Sequence, residues 1–204
     1  MTAKLSASGL TLFRGERCLF TDLDFALNPG ELLLLEGKNG SGKTSLLRAI
    51  AGLIEFEEGT VEWHGKPVAK QRQEFHAALT WLAHRTGFKG DLNLVENLRF
   101  EANLGAQNDA DFDGVLERLG IERLKKLPLR SLSAGQQRRV GLARMLLSNA
   151  PLWMMDEPFT NLDRQGRELV ISLVNEHLAR DGMCVMAAHQ DVDVDASVIR
   201  VTLT

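Results

Sequence analysis

Glu31-Leu32-Leu33-Leu34-Leu35-Glu36 runs into Gly37-Lys38-Asn39-Gly40-Ser41-Gly42-Lys43-Thr44 and then into Ser45-Leu46-Leu47-Arg48-Ala49-Ile50. The first stretch, entered through Asn28-Pro29-Gly30, is a short apolar run without alternation, which predicts a strand buried on both faces in a parallel sheet. The third repeats apolar residues at helical spacing. Strand, glycine-rich loop and helix in this order predict a phosphate-binding loop in an α/β fold. Gly37, Gly40 and Gly42 let the backbone turn tightly and point amide N–H groups inward, with Lys38, Asn39 and Ser41 completing the cradle. The helix N-terminus adds further donors. The Lys43 ammonium is expected on the β- and γ-phosphates of a nucleoside triphosphate, and the Thr44 hydroxyl on Mg²⁺.

A second apolar run, Pro151-Leu152-Trp153-Met154-Met155, ends in Asp156-Glu157-Pro158. Ligands of open α/β sheets bind beyond the carboxyl ends of the strands. Asp156 is therefore expected to face the same crevice and hold Mg²⁺ through water. Glu157, one residue on, is expected to polarise the attacking water as general base. Pro158 removes a backbone donor and ends the strand. Without a phosphate loop nearby, this tripeptide would read as an ordinary acidic turn.

Between these segments lies Leu132-Ser133-Ala134-Gly135-Gln136-Gln137. Ser133 is a suitable N-cap for a helix from Ala134 to about Leu147. The amides of Ala134, Gly135 and Gln136 would be free to meet a phosphate. One small domain is not expected to wrap two phosphate-binding turns around a single nucleotide. The pair points to an ATPase that completes its sites across a dimer.

These residues resemble the nucleotide-binding subunit of ABC transporters. Leu132–Gln137 is similar to that family's signature, Asp156-Glu157 to its Walker B end, Asn161-Leu162-Asp163 to its D-loop, and His189 in Ala187-Ala188-His189-Gln190 to its switch histidine. The resemblance implies a P-loop NTPase fold: a RecA-like core with an antiparallel β layer, over about 1–85 and 149–204, and an inserted helical subdomain over about 86–148, all in one domain. It implies ATP and Mg²⁺ as cofactors and a head-to-tail homodimer formed with ATP. Each nucleotide would lie between the loop of one subunit and Ser133, Ala134, Gly135, Gln136 and Asp163 of the other. Lys43, Glu157 and His189 would act on the γ-phosphate and the attacking water, and Thr44 and Asp156 would hold the metal. The implied partners are integral membrane subunits, with the chain peripheral on the cytoplasmic side of a bacterial inner membrane. Segment 86–148 would act as the lever. The membrane subunits would dock around His84–Asn97, where Phe88, Leu92 and Leu94 are either contacts or local core.

Three positions depart from the family pattern. Ala134 replaces a glycine but tolerates helical dihedrals. The usual Mg²⁺-contacting Gln after a strand near 79–83 is replaced by His84 or Arg85. The chain has no Tyr to stack on adenine. Phe13 is the substitute, unless it belongs to the core. The wording of the signature and of Leu152–Asp163, with the compact length, is most similar to the heme-exporter ATPases of cytochrome c maturation. The alternatives are a soluble ABC factor acting in regulation or on ribosomes or DNA, a P-loop kinase, and a non-hydrolysing regulator. The first usually joins two cassettes or inserts a long coiled coil. A kinase would leave Ser133–Gln137 and His189 unexplained, and Glu157 argues against the regulator.

The 204 residues, 44% of them hydrophobic, suffice for one globular unit. No stretch approaches the roughly 20 apolar residues of a membrane span, and Met1–Ser6 has no signal-peptide core. Membrane contact is therefore expected only through partners. A net charge of −3 gives no reason to expect nucleic acid. Cys18 and Cys184 lack metal-ligand spacing and read as buried thiols. His64, His76 and His177 read as surface residues, and Arg138-Arg139 and Lys125-Lys126 as solvated helix faces. Strands are expected within 10–35, at 58–64 and at 77–83. Short helices are expected between Val95 and Leu147, broken at Asn108-Asp109 and Gly120. A last amphipathic helix is expected from Leu162 to Arg180, with Leu169, Leu173 and Leu178 inward and Asp181-Gly182 as its stop.

Overall fold

The structure, a computed structural model, describes residues 4–84, 87–104 and 111–204, with the backbone alone at 101–104. Strands β1 (Leu5–Arg14) and β2 (Arg17–Leu27) form an antiparallel hairpin, with β4 (Glu58–Trp63) against β1 and the short β5 (Lys66–Pro67) at the edge. Strands β3 (Glu31–Gly37), β6 (Leu79–Leu82), β7 (Leu152–Asp156), β8 (Met183–Ala187) and β9 (Ser197–Leu203) make a second sheet in the order β6-β7-β8-β3-β9. Its pairings are all parallel.

The unbroken apolar run of β3 has a simple cause. Leu33 and Leu35 pack into the core beneath the antiparallel layer and helix α1 (Lys43–Ile50). Leu32 and Leu34 point the other way, into a second core shared with the helices. Side chains alternate along a strand, so a strand covered on both faces needs apolar residues at every position. Strands β7 and β8 follow the same rule and are buried throughout.

Helices α3 (Leu94–Leu104), α4 (Phe112–Arg118) and α5 (Ala134–Ser148) lie in sequence between β6 and β7, and α6 (Arg164–Leu178) between β7 and β8. The expected break at Asn108-Asp109 lies outside the described residues. A helix not expected from the sequence, α2 (Arg72–Ala77), delays β6 to Leu79. On α6 the buried stripe is Val170, Leu173, Val174 and Leu178, while Leu169 is only partly buried.

Three surface or core readings change. Cys18 is exposed, because it sits near the solvent end of the β1–β2 hairpin opposite Phe13. His177 is half-buried, its ring stacked on Trp153 at 4.1 Å between centroids and its Nε2 3.2 Å from the Met183 carbonyl. Arg138 is buried against the β7 turn, where backbone carbonyls take the place of water.

Register aligns the sheet ends. Leu35 and Asp156 both pair with Ala187, and Leu82 pairs with Met155. Gly37, Glu157, His189 and His84 therefore all leave the same edge of the sheet within one or two residues of those partners.

Candidate active site

At that edge the glycine-rich loop closes on itself. Gly37 has φ 143°, and a Cβ there would stand 2.4 Å from the Leu203 carbonyl oxygen and 2.6 Å from Ser41 Oγ. Only glycine permits this approach. The Lys43 ammonium folds back over the loop and donates to the carbonyls of Gly37 at 2.7 Å and Lys38 at 3.3 Å. Its Nζ stands 3.7 Å from Glu157 Oε1. Ser41 is buried in the loop, its Oγ without a hydrogen-bond partner among the described residues.

Glu157 leaves β7 through a left-handed turn, φ 50°. Its N–H donates to Ala187 O at 2.9 Å, which ties the turn to the end of β8. That tie brings in His189, whose Nδ1 lies 2.7 Å from Glu157 Oε2. Two residues far from Glu157 in sequence thus share its carboxylate: the Lys43 cation on one oxygen, the His189 imidazole on the other.

Beside them, Thr44 Oγ1 donates to Asp156, at 3.1 Å from Oδ1 and 3.0 Å from Oδ2. Asp156 is 2% exposed. Burial raises its carboxyl above the ordinary 3.8, opposed by the Thr44 hydrogen bond. Among the described residues, the one side-chain hydrogen-bond donor to this buried carboxylate is the Thr44 hydroxyl, which compensates it poorly. Two hard oxygen donors this close suit a small divalent cation such as Mg²⁺.

A cleft of about 420 Å³ opens over this constellation, lined by Asn39, Gly40, Gly42, Lys43, Thr44, Ser45, Glu157 and His84, and by Arg14 and Leu19 from the hairpin. His84 is one of the two candidates for the missing Gln. The other, Arg85, lies outside the described residues. Phe13 is 40% exposed at the hairpin end and is not a core residue. Sequence reading missed Arg14 and Leu19, whose one signal was the Arg14-Gly15-Glu16 turn.

The signature segment lies elsewhere. Ser133 caps α5 in a capping box: Gln136 N–H donates to Ser133 Oγ at 3.2 Å, and Ser133 N–H to Gln136 Oε1 at 2.9 Å. The Gln136 amide, expected to be free, is therefore engaged by the cap. The cap leaves Ala134 and Gly135 as the orphan donors of the first turn. Asp163 caps α6, accepting from Gly166 N–H at 2.8 Å. Gly135 presses on the D-loop segment, and a Cβ there would come 2.8 Å from Asn161 O. Ser133, Ala134, Gly135, Gln136, Asn161 and Asp163 share a second open cleft of about 640 Å³ with Gly120, Ile121, Arg139 and Leu162. The two clefts have no lining residue in common.

The docking candidates divide. Leu94 is buried and Phe88 partly buried against the helical-side core, and Leu92 is half-buried. Among the described residues no helix is long and apolar enough to cross a membrane.

The family model described as ABC transporter matches residues 20–160. The chain is 42% identical over 199 residues to the cytochrome c biogenesis ATP-binding export protein CcmA of Vibrio vulnificus (strain YJ016), covering 96% of this chain and 97% of that protein. It is 44% identical over 194 residues to the protein of the same description from Methylococcus capsulatus (strain ATCC 33009 / NCIMB 11132 / Bath), covering 94% of each. Among solved structures, an ATP-binding subunit of an ABC transporter superposes with a TM-score of 0.84 at 24% identity, over 92% of this chain and 80% of that one. A putative ABC transporter ATP-binding protein from Pyrococcus furiosus gives 0.84 at 23% identity, over 98% and 96%. At these identities the solved structures speak for the fold alone, that of the ABC ATPase domain.

Proposed function

The chain belongs to the ABC transporter family, in the group of cytochrome c biogenesis ATP-binding export proteins, and on that premise we propose that it is the ATP-hydrolysing subunit of a membrane export complex serving cytochrome c biogenesis. The exported species is heme, as the resemblance to heme-exporter ATPases implies. The partners are integral membrane subunits, and the chain is peripheral on the cytoplasmic side of the inner membrane.

The observation that carries the mechanism is the separation of the two clefts. The glycine-rich loop, Lys43 and Glu157 line one, and Ser133, Gly135 and Asp163 line the other. One chain thus presents two half-sites, and two chains meeting head to tail would pair each half with its complement around one ATP.

Within the first half-site, Lys43 moves from the loop carbonyls to the β- and γ-phosphates when nucleotide is bound. Thr44 and Asp156 would hold Mg²⁺, which would neutralise phosphate charge. Glu157 accepts the proton of the attacking water, and His189 orients that carboxylate through the bond at 2.7 Å. From the partner, the Ala134 and Gly135 amides supply donors to the γ-phosphate.

Two measurements test this reading. Turnover of the full chain should rise with the square of concentration at high dilution, as for an enzyme active only as a dimer. Cells carrying Lys43→Ala in place of the wild-type chain should fail to form holocytochrome c. Linear dependence on concentration would remove the shared-site mechanism, and normal cytochrome c assembly would remove the assignment to this export step.

A further inference from the structure

We propose that Arg138, in helix α5, is the positioning residue of Glu157, its guanidinium clamping the backbone of the turn that carries the carboxylate and tying that turn to the signature helix. The proposal rests on the reading of Glu157 as the general base.

Glu157 is held at φ 50°, a conformation that side-chain-bearing residues seldom adopt and that the surroundings must maintain. Arg138 supplies the hold from behind. Its Nη2 donates to Asp156 O at 2.7 Å and to Glu157 O at 2.5 Å, and its Nε to Pro158 O at 3.2 Å. Three successive carbonyls of one turn are bound by a single planar group. Nη1 donates to a fourth, Ala83 O at 2.7 Å, directly before His84. Five N–H donors in a fixed fork suit this pattern, and the three of an ammonium do not.

The arrangement is not an ordinary ion pair. Arg138 is 4% exposed, and these four bonds go to carbonyl oxygens. Burial lowers its pKa to about 10, with Asp156 and Glu157 pulling the other way, so it is a cation at neutral pH. An apolar side chain would fill this position on α5 at less desolvation cost. What the guanidinium provides is geometry. By taking the carbonyls, it leaves the Glu157 carboxylate to face Lys43 and His189. Because α5 begins at Ala134, beside the cleft for the partner's nucleotide, a shift of that helix would reach the base through one side chain.

The test is a double-mutant cycle on the full chain. Arg138→Lys should lower kcat at saturating MgATP by about 10²-fold, the loss expected when a catalytic group moves by an ångström. Affinity for a fluorescent ATP analogue should stay within about threefold of wild type, since the loss is confined to the transition state. In a Glu157→Gln background the same substitution should cost less than about threefold, because the carboxylate it positions is already gone. Arg138→Gln, which keeps two N–H donors on one nitrogen and sets an acceptor oxygen among the carbonyls, should lose at least as much kcat as Arg138→Lys. Equal losses in both backgrounds, wild-type kcat in Arg138→Lys, or a parallel fall of ATP affinity and melting temperature in both variants would overturn the proposal alone. Undiminished turnover in Glu157→Gln would sink the base assignment, and this proposal with it.

Discussion

His189 Nδ1 stands 2.7 Å from Glu157 Oε2, a contact between the residues just past two neighbouring strands of the parallel sheet. It requires Asp156 and Ala187 to be in register, and a one-residue slip would separate the groups. The site therefore depends on the sheet as much as on its own side chains.

Removing the base is the most direct perturbation. Glu157→Gln should slow hydrolysis by roughly 10²–10⁴-fold, the contribution of a positioned general base, while ATP binding is retained. Single-turnover hydrolysis and equilibrium nucleotide binding on one preparation separate the two effects. An unchanged hydrolytic rate would take Glu157 out of the mechanism.

Lys43→Ala removes the ammonium that now bridges Gly37 O and Lys38 O. Loss of one charge-assisted hydrogen bond costs about 1.5–3 kcal/mol, so ATP should bind roughly 10–10²-fold more weakly. Titration calorimetry reads this directly, and wild-type affinity would mean that the loop does not hold the phosphates through this lysine.

Gly135→Val forces a side chain toward Asn161 O, where even a Cβ would sit at 2.8 Å. Turnover should fall by about 10²-fold, as when a transition-state donor is lost, while binding at the chain's own loop persists. Mixing Gly135→Val with Lys43→Ala subunits should recover activity, because one of the two composite sites then carries both an intact loop and an intact signature. No recovery on mixing would place both defects in one site.

Asp156 makes stability depend on pH. Its folded pKa is raised by burial above the ordinary 3.8. Between those two values the folded chain binds more protons than the unfolded one, so stability falls as pH rises through that window and stays lower above it. Asp156→Asn should melt higher than wild type at neutral pH without nucleotide, and gain less on addition of MgATP. Melting curves with and without MgATP would decide; a variant less stable in both conditions would contradict the penalty.

His177 has the opposite sign. Burial lowers its folded pKa below the ordinary 6.5, against its bond to the Met183 carbonyl. Stability should be unaffected by this group above the unfolded value and be lost as pH falls below it, as the unfolded chain takes up a proton that the fold resists. His177→Phe keeps a ring over Trp153 and should flatten that acidic slope. A slope identical to wild type would show that other groups cause it.

The local pattern of the chain determined the strand, loop and helix at Glu31–Ile50, the acidic end of β7 and the cap at Ser133. Each depends on residues within a few positions of one another: an apolar run buried on both faces, glycines where φ is positive, and a hydroxyl before a helix. Tertiary structure alone decided what these segments meet. That Thr44 reaches Asp156, that His189 reaches Glu157, and that the signature opens onto a cleft of its own follow from strand order and register. Arg138 shows the difference most clearly. Beside Arg139 it reads as a solvated pair, because charge in sequence predicts water. Only the packing of α5 against the β7 turn replaces that water with four carbonyl oxygens, since hydrogen-bond partners distant in the chain leave no periodicity to read.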